Sequence, residues 1–183
     1  MALAYGADAV YLAGPAFGMR AFAGNFDRDG LADAISLAHA KGVRVHVTCN
    51  TLARNHEVAQ LPGYLEYLDA IGVDAVIAAG PEVLDLCRRR APHVQVHMST
   101  QTGITNYEMA RAWHELGASR AILARELSLD EVAEICAKAP RGLEVEVFVH
   151  GTMCVSWSGR CLLSNYMTGR DASRGACAQP CRY

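Results

Sequence analysis

The chain has 183 residues, is half apolar (51%) and carries a net charge of −2. That is enough chain and apolar mass for one domain with a full core, and no apolar run approaches the roughly 20 residues a membrane helix needs. The overall charge does not call for a nucleic-acid partner, but its distribution is uneven. Residues 1–149 hold 13 Lys/Arg against 18 Asp/Glu, a balance of −5. Residues 150–183 hold Arg160, Arg170, Arg174 and Arg182 against Asp171 alone, a balance of +3. A basic tail on an acidic body favours an anionic ligand near the tail.

Taken in chain order, "MALAY" reads as the last turn of a helix. It leads into "YGADAVYLAG" (5–14), a phrase echoed by "IGVDAVIAAG" (71–80) and "LGASRAILAR" (116–125). Each echo is a glycine followed by a short apolar run, the form taken where a glycine-capped helix hands over to a buried parallel strand. The pattern predicts strands near 8–12, 43–48, 74–78, 94–98, 119–123 and 144–149. Helices fill the intervals. "LADAISLAHAKG" places Leu31, Ala34, Ile35 and Ala38 on one face and stops at Gly42. "GYLEYLDAIG" does the same with Tyr64, Leu65, Leu68 and Ile71. Pro81 is placed to open "PEVLDLCRRR", a helix is expected over about 105–116, and Ser128 with Glu131 has the spacing of a capping box opening "LDEVAEICAK".

Regular βα alternation yields an open doubly wound sheet or a (β/α)8 barrel. No glycine-rich dinucleotide fingerprint follows any strand, which favours the barrel. The expected fold class is α/β: a partial (β/α)8 TIM-type barrel with parallel strands, its first strand and helix missing, and a Cys-rich loop after the last strand. Residues 1–150 are read as the truncated barrel domain. Residues 151–183 are read as a Cys/Gly/Arg-rich segment at the barrel mouth, continuing beyond Tyr183. The start lacks the features of a secretory signal, so the expected location is cytoplasmic.

Three strands alternate valines with polar residues. "VRVHVTCN" sets Arg44, His46 and Thr48 opposite its valines, "VQVHMS" sets Gln95, His97 and Ser99, and "EVEVFVH" sets Glu144, Glu146, Phe148 and His150 opposite Val145, Val147 and Val149. In a barrel the valines meet the helices and the polar set points to the axis. Unpaired polar groups there cost several kcal/mol each, roughly, so they pair with one another or line a wet cavity. Barrel enzymes place their chemistry at strand C-terminal ends. His97, Glu146 and His150 are therefore candidates for catalysis, and Arg44, His46, Ser99, Gln101, Arg160 and Arg174 for substrate binding.

Seven cysteines divide into two groups. Cys49, Cys87 and Cys136 fall in phase with apolar neighbours and are read as small buried hydrophobes. Cys154, Cys161, Cys177 and Cys181 form C-x6-C-x15-C-x3-C in a glycine-rich stretch. Four such thiols suit a [4Fe–4S] cluster, a zinc ion, or no metal at all, as free thiols or disulfides. The spacing alone leaves all three open.

"EVFVHGTMCVSWSGRCLLS" (146–164) resembles the signature of the U32 peptidase family, matching at Glu146, Phe148, Gly151, Met153, Cys154, Gly159, Cys161, Leu163 and Ser164. Thr152 departs, standing where the family usually has Ser or Ala. "HMSTQTGITN", "RELSLDE" and "RGACAQPCRY" are similar to further family segments. The resemblance implies collagenase-like peptidase activity of unassigned catalytic type, or oxygen-independent hydroxylation of tRNA, ribosomal RNA or a ubiquinone precursor. It also implies a [4Fe–4S] cluster on Cys154, Cys161, Cys177 and Cys181, with zinc the alternative. The expected partners are RNA or a small anionic or aromatic substrate, a peptide on the rival reading, and a further protein if the chain is a non-catalytic, cluster-bearing subunit.

Overall fold

The computed structural model describes residues 1–151 and 153–182; Thr152, the one departure from the family signature, and Tyr183 lie outside them. A six-stranded sheet forms the frame: β1 (Ala9–Leu12), β2 (Arg44–Cys49), β3 (Ala75–Ala78), β4 (Gln95–Met98), β5 (Arg120–Ile122) and β6 (Glu144–Glu146). All neighbouring strands are parallel and their order is β1-β2-β3-β4-β5-β6. Strands laid down in chain order, with no reversal, wind the way a barrel does; a doubly wound sheet reverses at a switch point. The fold is a curled half-barrel. The first strand comes within a residue of its expected place, preceded by a single 3-10 turn over Ala2–Tyr5 that ends on left-handed Gly6.

The helices are α1 (Arg28–His39), α2 (Asn55–Val58), α3 (Leu61–Ala70), α4 (Pro81–Arg90), α5 (Tyr107–Leu116), α6 (Leu129–Lys138) and α7 (Leu163–Thr168). Their starts carry the chemistry the sequence advertises. Asp27 accepts from Gly30 N at 2.8 Å, Asn106 from Met109 N at 2.9 Å, and Ser128 and Glu131 close the capping box. Each satisfies amides that a helix N-terminus leaves unpaired.

Between sheet and helices lies the core. Val45, Val47, Cys49, Val76, Val96 and Met98 meet Leu31, Ile35, Leu65, Leu68, Val83 and Cys87, all at most 4% exposed. A buried side chain of this size contributes about 1.5–3 kcal/mol, so truncating a fully buried one such as Leu65 costs about 2–5 kcal/mol. Cys49 and Cys87 sit in this layer as expected. Burial pushes the Cys49 thiol well above the usual range and the Cys87 thiol up to about 12.

Two expectations are corrected. Cys136 is exposed, as is Leu129 at the start of the same helix, because α6 turns only Ile135 fully inward. The sixth strand stops at Glu146 rather than 149, and Val149 is 89% exposed. β6 is an outer strand of the sheet, and beyond Ile122, which pairs with Glu146, its neighbour β5 offers no further ladder.

Candidate functional site

On the concave face, the register aligns Thr48, Ile77, His97, Arg120 and Glu144 in one row. His46 and His97 meet edge to face with centroids 4.6 Å apart. His97 is 1% exposed, and neither ring nitrogen has a hydrogen-bond partner among the described residues. Burial, then the Arg120 guanidinium and His46, hold its pKa down to about 3. Burial and Arg120 also lower that of His46. His97 is thus a neutral ring near pH 7, not a cation.

Arg120 organises this row, and sequence analysis does not single it out, because it opens an otherwise apolar run. Its Nη1 donates to Glu146 Oε2 at 2.7 Å and its Nε to Glu144 Oε2 at 2.8 Å. Glu146, a catalytic candidate, is therefore committed to an ion pair. A signal exists all the same: parallel register places a lone arginine on β5 opposite two carboxylates on β6.

The other candidates separate. Arg44 opens β2 at its N-terminal end, away from the strand C-termini. With His46, Asp69, Asp74, His93 and Gln95 it lines a pocket of about 330 Å³ at that end. His150 lies past the end of β6 and is exposed. Ser99 and Gln101 are at the mouth. Ser99 Oγ accepts from Gln101 N at 3.3 Å, and the carbonyl of Gln101 accepts from Arg160 Nε at 2.8 Å. Arg174 also reaches the mouth, where it pairs with Glu57 and lines a second pocket, of about 350 Å³, with Phe17, Thr51 and His56.

The segment from Met153 to Arg182 is a cap tied across the mouth to four βα loops, to three of them by hydrogen bonds or ion pairs. After β1, Gly175 (φ 77°) lies so close to Met19–Ala21 that a Cβ there would stand 2.6 Å from Met19 C. Arg170 covers the Phe22 ring at 4.9 Å. After β2, Arg54 pairs with Asp171 at 3.0 Å and Glu57 with Arg174. After β4, the Gln101 carbonyl holds Arg160, and Trp157 lies beside left-handed Gly103. After β5, Glu126 accepts from Ser158 N at 2.7 Å and from Ser158 Oγ at 3.1 Å. Burial opposes ionisation of Glu126, but the two Ser158 bonds outweigh it and its pKa falls. Ser158 is 1% exposed and holds φ 45°, a strained conformation for a non-glycine residue. Such long-range ties leave no local sequence pattern.

All four motif cysteines lie on this cap, reduced and at or near the surface. Cys161 Sγ accepts from Leu163 N and Cys177 Sγ from Gln179 N, each at 3.3 Å. Cys154 Sγ lies 3.1 Å from Ser156 Oγ. Partial burial raises the Cys154 pKa, but the Ser156 contacts, Arg125 and Arg182 outweigh it and favour thiolate. Arg182 Nη2 donates to the Met153 carbonyl at 3.0 Å, and Ala178 N to Ser164 Oγ at 2.9 Å, stitching the cysteine-bearing segments together. Amides aimed at sulfur and nearby guanidiniums are what a metal-ligating thiolate needs. Among the described residues, no three His, Cys, Asp or Glu side chains are gathered as an ion requires. The four thiols form a donor set of suitable chemistry on one cap, not an assembled cage.

A parallel half-barrel whose mouth is crossed by a four-thiol cap defines the class of protein. The sequence model described as peptidase family U32 matches residues 1–183, and the chain belongs to that family. It is 42% identical over its whole length to the "tRNA hydroxylation protein P1" of Bacillus subtilis (strain 168), covering 43% of that protein. It is 38% identical over 99% of its length to the "23S rRNA 5-hydroxycytidine C2501 synthase" of Escherichia coli (strain K12), covering 27% of it. The chain thus spans less than half the length of these relatives. The solved structure of the U32 peptidase Mk0906 shares the fold, with a TM-score of 0.62 and 19% identity over 75% of this chain and 60% of that one.

Proposed function

We infer that this chain is the barrel-and-cap part of a protein that hydroxylates RNA, either tRNA or ribosomal RNA, and that Cys154, Cys161, Cys177 and Cys181 hold a [4Fe–4S] cluster. The observation that carries the reading is the 42% identity to a tRNA hydroxylation protein over all 183 residues, a span that takes in both the strands and the cap. Zinc is the alternative metal, and the cysteine-directed amides serve either. A bound cluster would supply electron transfer. The chain's own residues supply the rest. The cap fixes the thiols over the strand C-termini, and Arg120 holds Glu146 and Glu144 in place. His97 stays neutral in the buried row beside Arg120. The location read from the sequence is cytoplasmic, and among the described residues no helix is long and apolar enough to cross a membrane.

The peptidase reading has less support. Among the described residues no serine, threonine or cysteine is hydrogen-bonded to a histidine; the histidine contacts go to Asp74, Asp69 and the Ala118 carbonyl. A serine or threonine nucleophile is activated by such a base.

Deleting the gene in its own host, and analysing nucleosides from its tRNA and ribosomal RNA by mass spectrometry, tests the reading. A hydroxylated nucleoside should vanish and return with the wild-type gene but not with Cys154→Ala. An unchanged nucleoside profile, or gelatin cleavage by the purified protein, would overturn it. Anaerobic reconstitution with iron and sulfide should give four irons per chain, and zinc retained in their place would identify the other metal.

A further inference from the structure

The cap presents three arginines in an unusual state. Arg160 donates to the Gln101 carbonyl, Arg170 to the Ala176 carbonyl at 2.9 Å, and Arg182 to the Met153 carbonyl. Each guanidinium is thereby positioned by a neutral backbone acceptor, and among the described residues none is paired with a carboxylate. The contrast lies within the same segment, where Arg174 is neutralised by Glu57 and Asp171 by Arg54. The +3 of the tail therefore survives folding and resides on these three residues. A carbonyl tether keeps a guanidinium in place and leaves its remaining donors for an anion. Burying such charges against another protein surface would need three carboxylates in matching places, whereas a chain of phosphates supplies the charge at every unit.

The same cap exposes rings that serve no core. Tyr166 is 89% and Trp157 56% exposed. Trp157 is held in place, since its turn is anchored by Glu126 and lies against Gly103. Anchored cations together with exposed aromatic faces, one of them held in place, make the surface that takes unpaired nucleotides: phosphates go to the guanidiniums and bases stack on the rings. A duplex offers phosphates but no free base faces, and chemistry on a base requires the base out of its stack.

We propose that Arg160, Arg170 and Arg182 with Trp157 and Tyr166 form a binding surface for an unpaired RNA loop, delivering one of its bases to the barrel mouth. This deepens the RNA hydroxylation reading and rests on it. The surface selects single-stranded over duplex RNA through the two rings and sets the salt dependence through the three arginines.

The test is fluorescence anisotropy of the full-length protein with two labelled RNAs, a stem-loop with an unpaired pyrimidine loop and a blunt duplex of equal length. The stem-loop should bind at least about tenfold tighter, and Trp157→Ala or Tyr166→Ala should each weaken it about tenfold, with little change for the duplex. Trp157→Phe, which keeps a stacking face, should restore most of the loss. Arg160→Gln and Arg182→Gln should each reduce the slope of log affinity against log salt by about 0.7. Equal affinity for both RNAs, or a stem-loop affinity indifferent to the ring variants, overturns the proposal. So does an unchanged salt slope in the arginine variants, the result expected if this face is covered by another part of the protein. Loss of hydroxylated nucleosides on gene deletion is read separately. If it occurs while loop binding is indifferent, the RNA reading stands and this surface falls; if it does not occur, the reading itself fails.

Discussion

Gly175 carries the most exposed dependence in the molecule. It sits at φ 77°, and a Cβ at this position would stand 2.6 Å from Met19 C, 2.7 Å from Ala21 N and 2.8 Å from Arg20 N. All three are backbone atoms, so no rotamer change relieves the contact. Reaching ordinary van der Waals separation requires the cap and the β1 loop to part by about 1 Å. The left-handed conformation costs an alanine about 1–2 kcal/mol, and forced overpacking adds about 1–3 kcal/mol. Gly169 supplies the control: it holds φ 70°, with nothing within 4 Å of where a methyl would stand, so Gly169→Ala carries only the first cost. The core does not touch either position, and the effect should be local opening of the cap. Hydrogen exchange read by mass spectrometry on peptides from 160–182 should show Gly175→Ala at least about tenfold less protected than Gly169→Ala, with α3 and α4 unchanged. Equal protection in the two variants would refute the close approach of cap and β1 loop.

Three further outcomes follow from the concave face and the cap. His97 stays neutral when folded down to about pH 3, against 6.5 for the free side chain. The unfolded chain therefore binds the extra proton as pH falls below 6.5. The stabilisation is complete above that value and is lost on acidification at up to about 1.4 kcal/mol per pH unit, with His46 adding in the same direction. Urea titrations between pH 6.5 and 5, above the carboxylate range, should show this slope, and His97→Asn should flatten it; parallel profiles would contradict a buried neutral imidazole. Arg120→Met strands two half-exposed carboxylates, which should cost about 1–2 kcal/mol. The same change should raise the His97 pKa observed by NMR, though not to 6.5, because burial is its larger cause. Glu126→Gln removes the charged acceptor of Ser158 and should destabilise the Cys154–Cys161 turn by about 1 kcal/mol, seen as faster exchange at residues 156–161 with no loss of global stability.

The frame is legible in the sequence because its signals are local. Alternation in 43–48 and 94–98 and the glycine-led phrases place every strand within about three residues, and Pro81, Ser128 and Glu131 mark helix starts that the structure reproduces. The family resemblance is readable from Cys154, Cys161 and their glycines. What escapes depends on partners distant in the chain. Arg120 sits in an apolar run, and its meaning appears only when β6 is placed beside β5. Glu126 and Ser158 are 32 positions apart, and Arg174 and Glu57 are 117 apart. Arg44 and His97 share a face of the sheet, but position along the strand sends one to the opposite end. The short α2 and α7 lack enough residues for a period to show.

The strict chain-order winding of the sheet has a consequence for biogenesis. Each described βα unit pairs with the unit before it, so consolidation of these six strands can follow synthesis in order. Cys154 leaves the ribosome only after all six strands, and Cys181 later still. The four thiols thus meet a platform of loops whose scaffold is already standing.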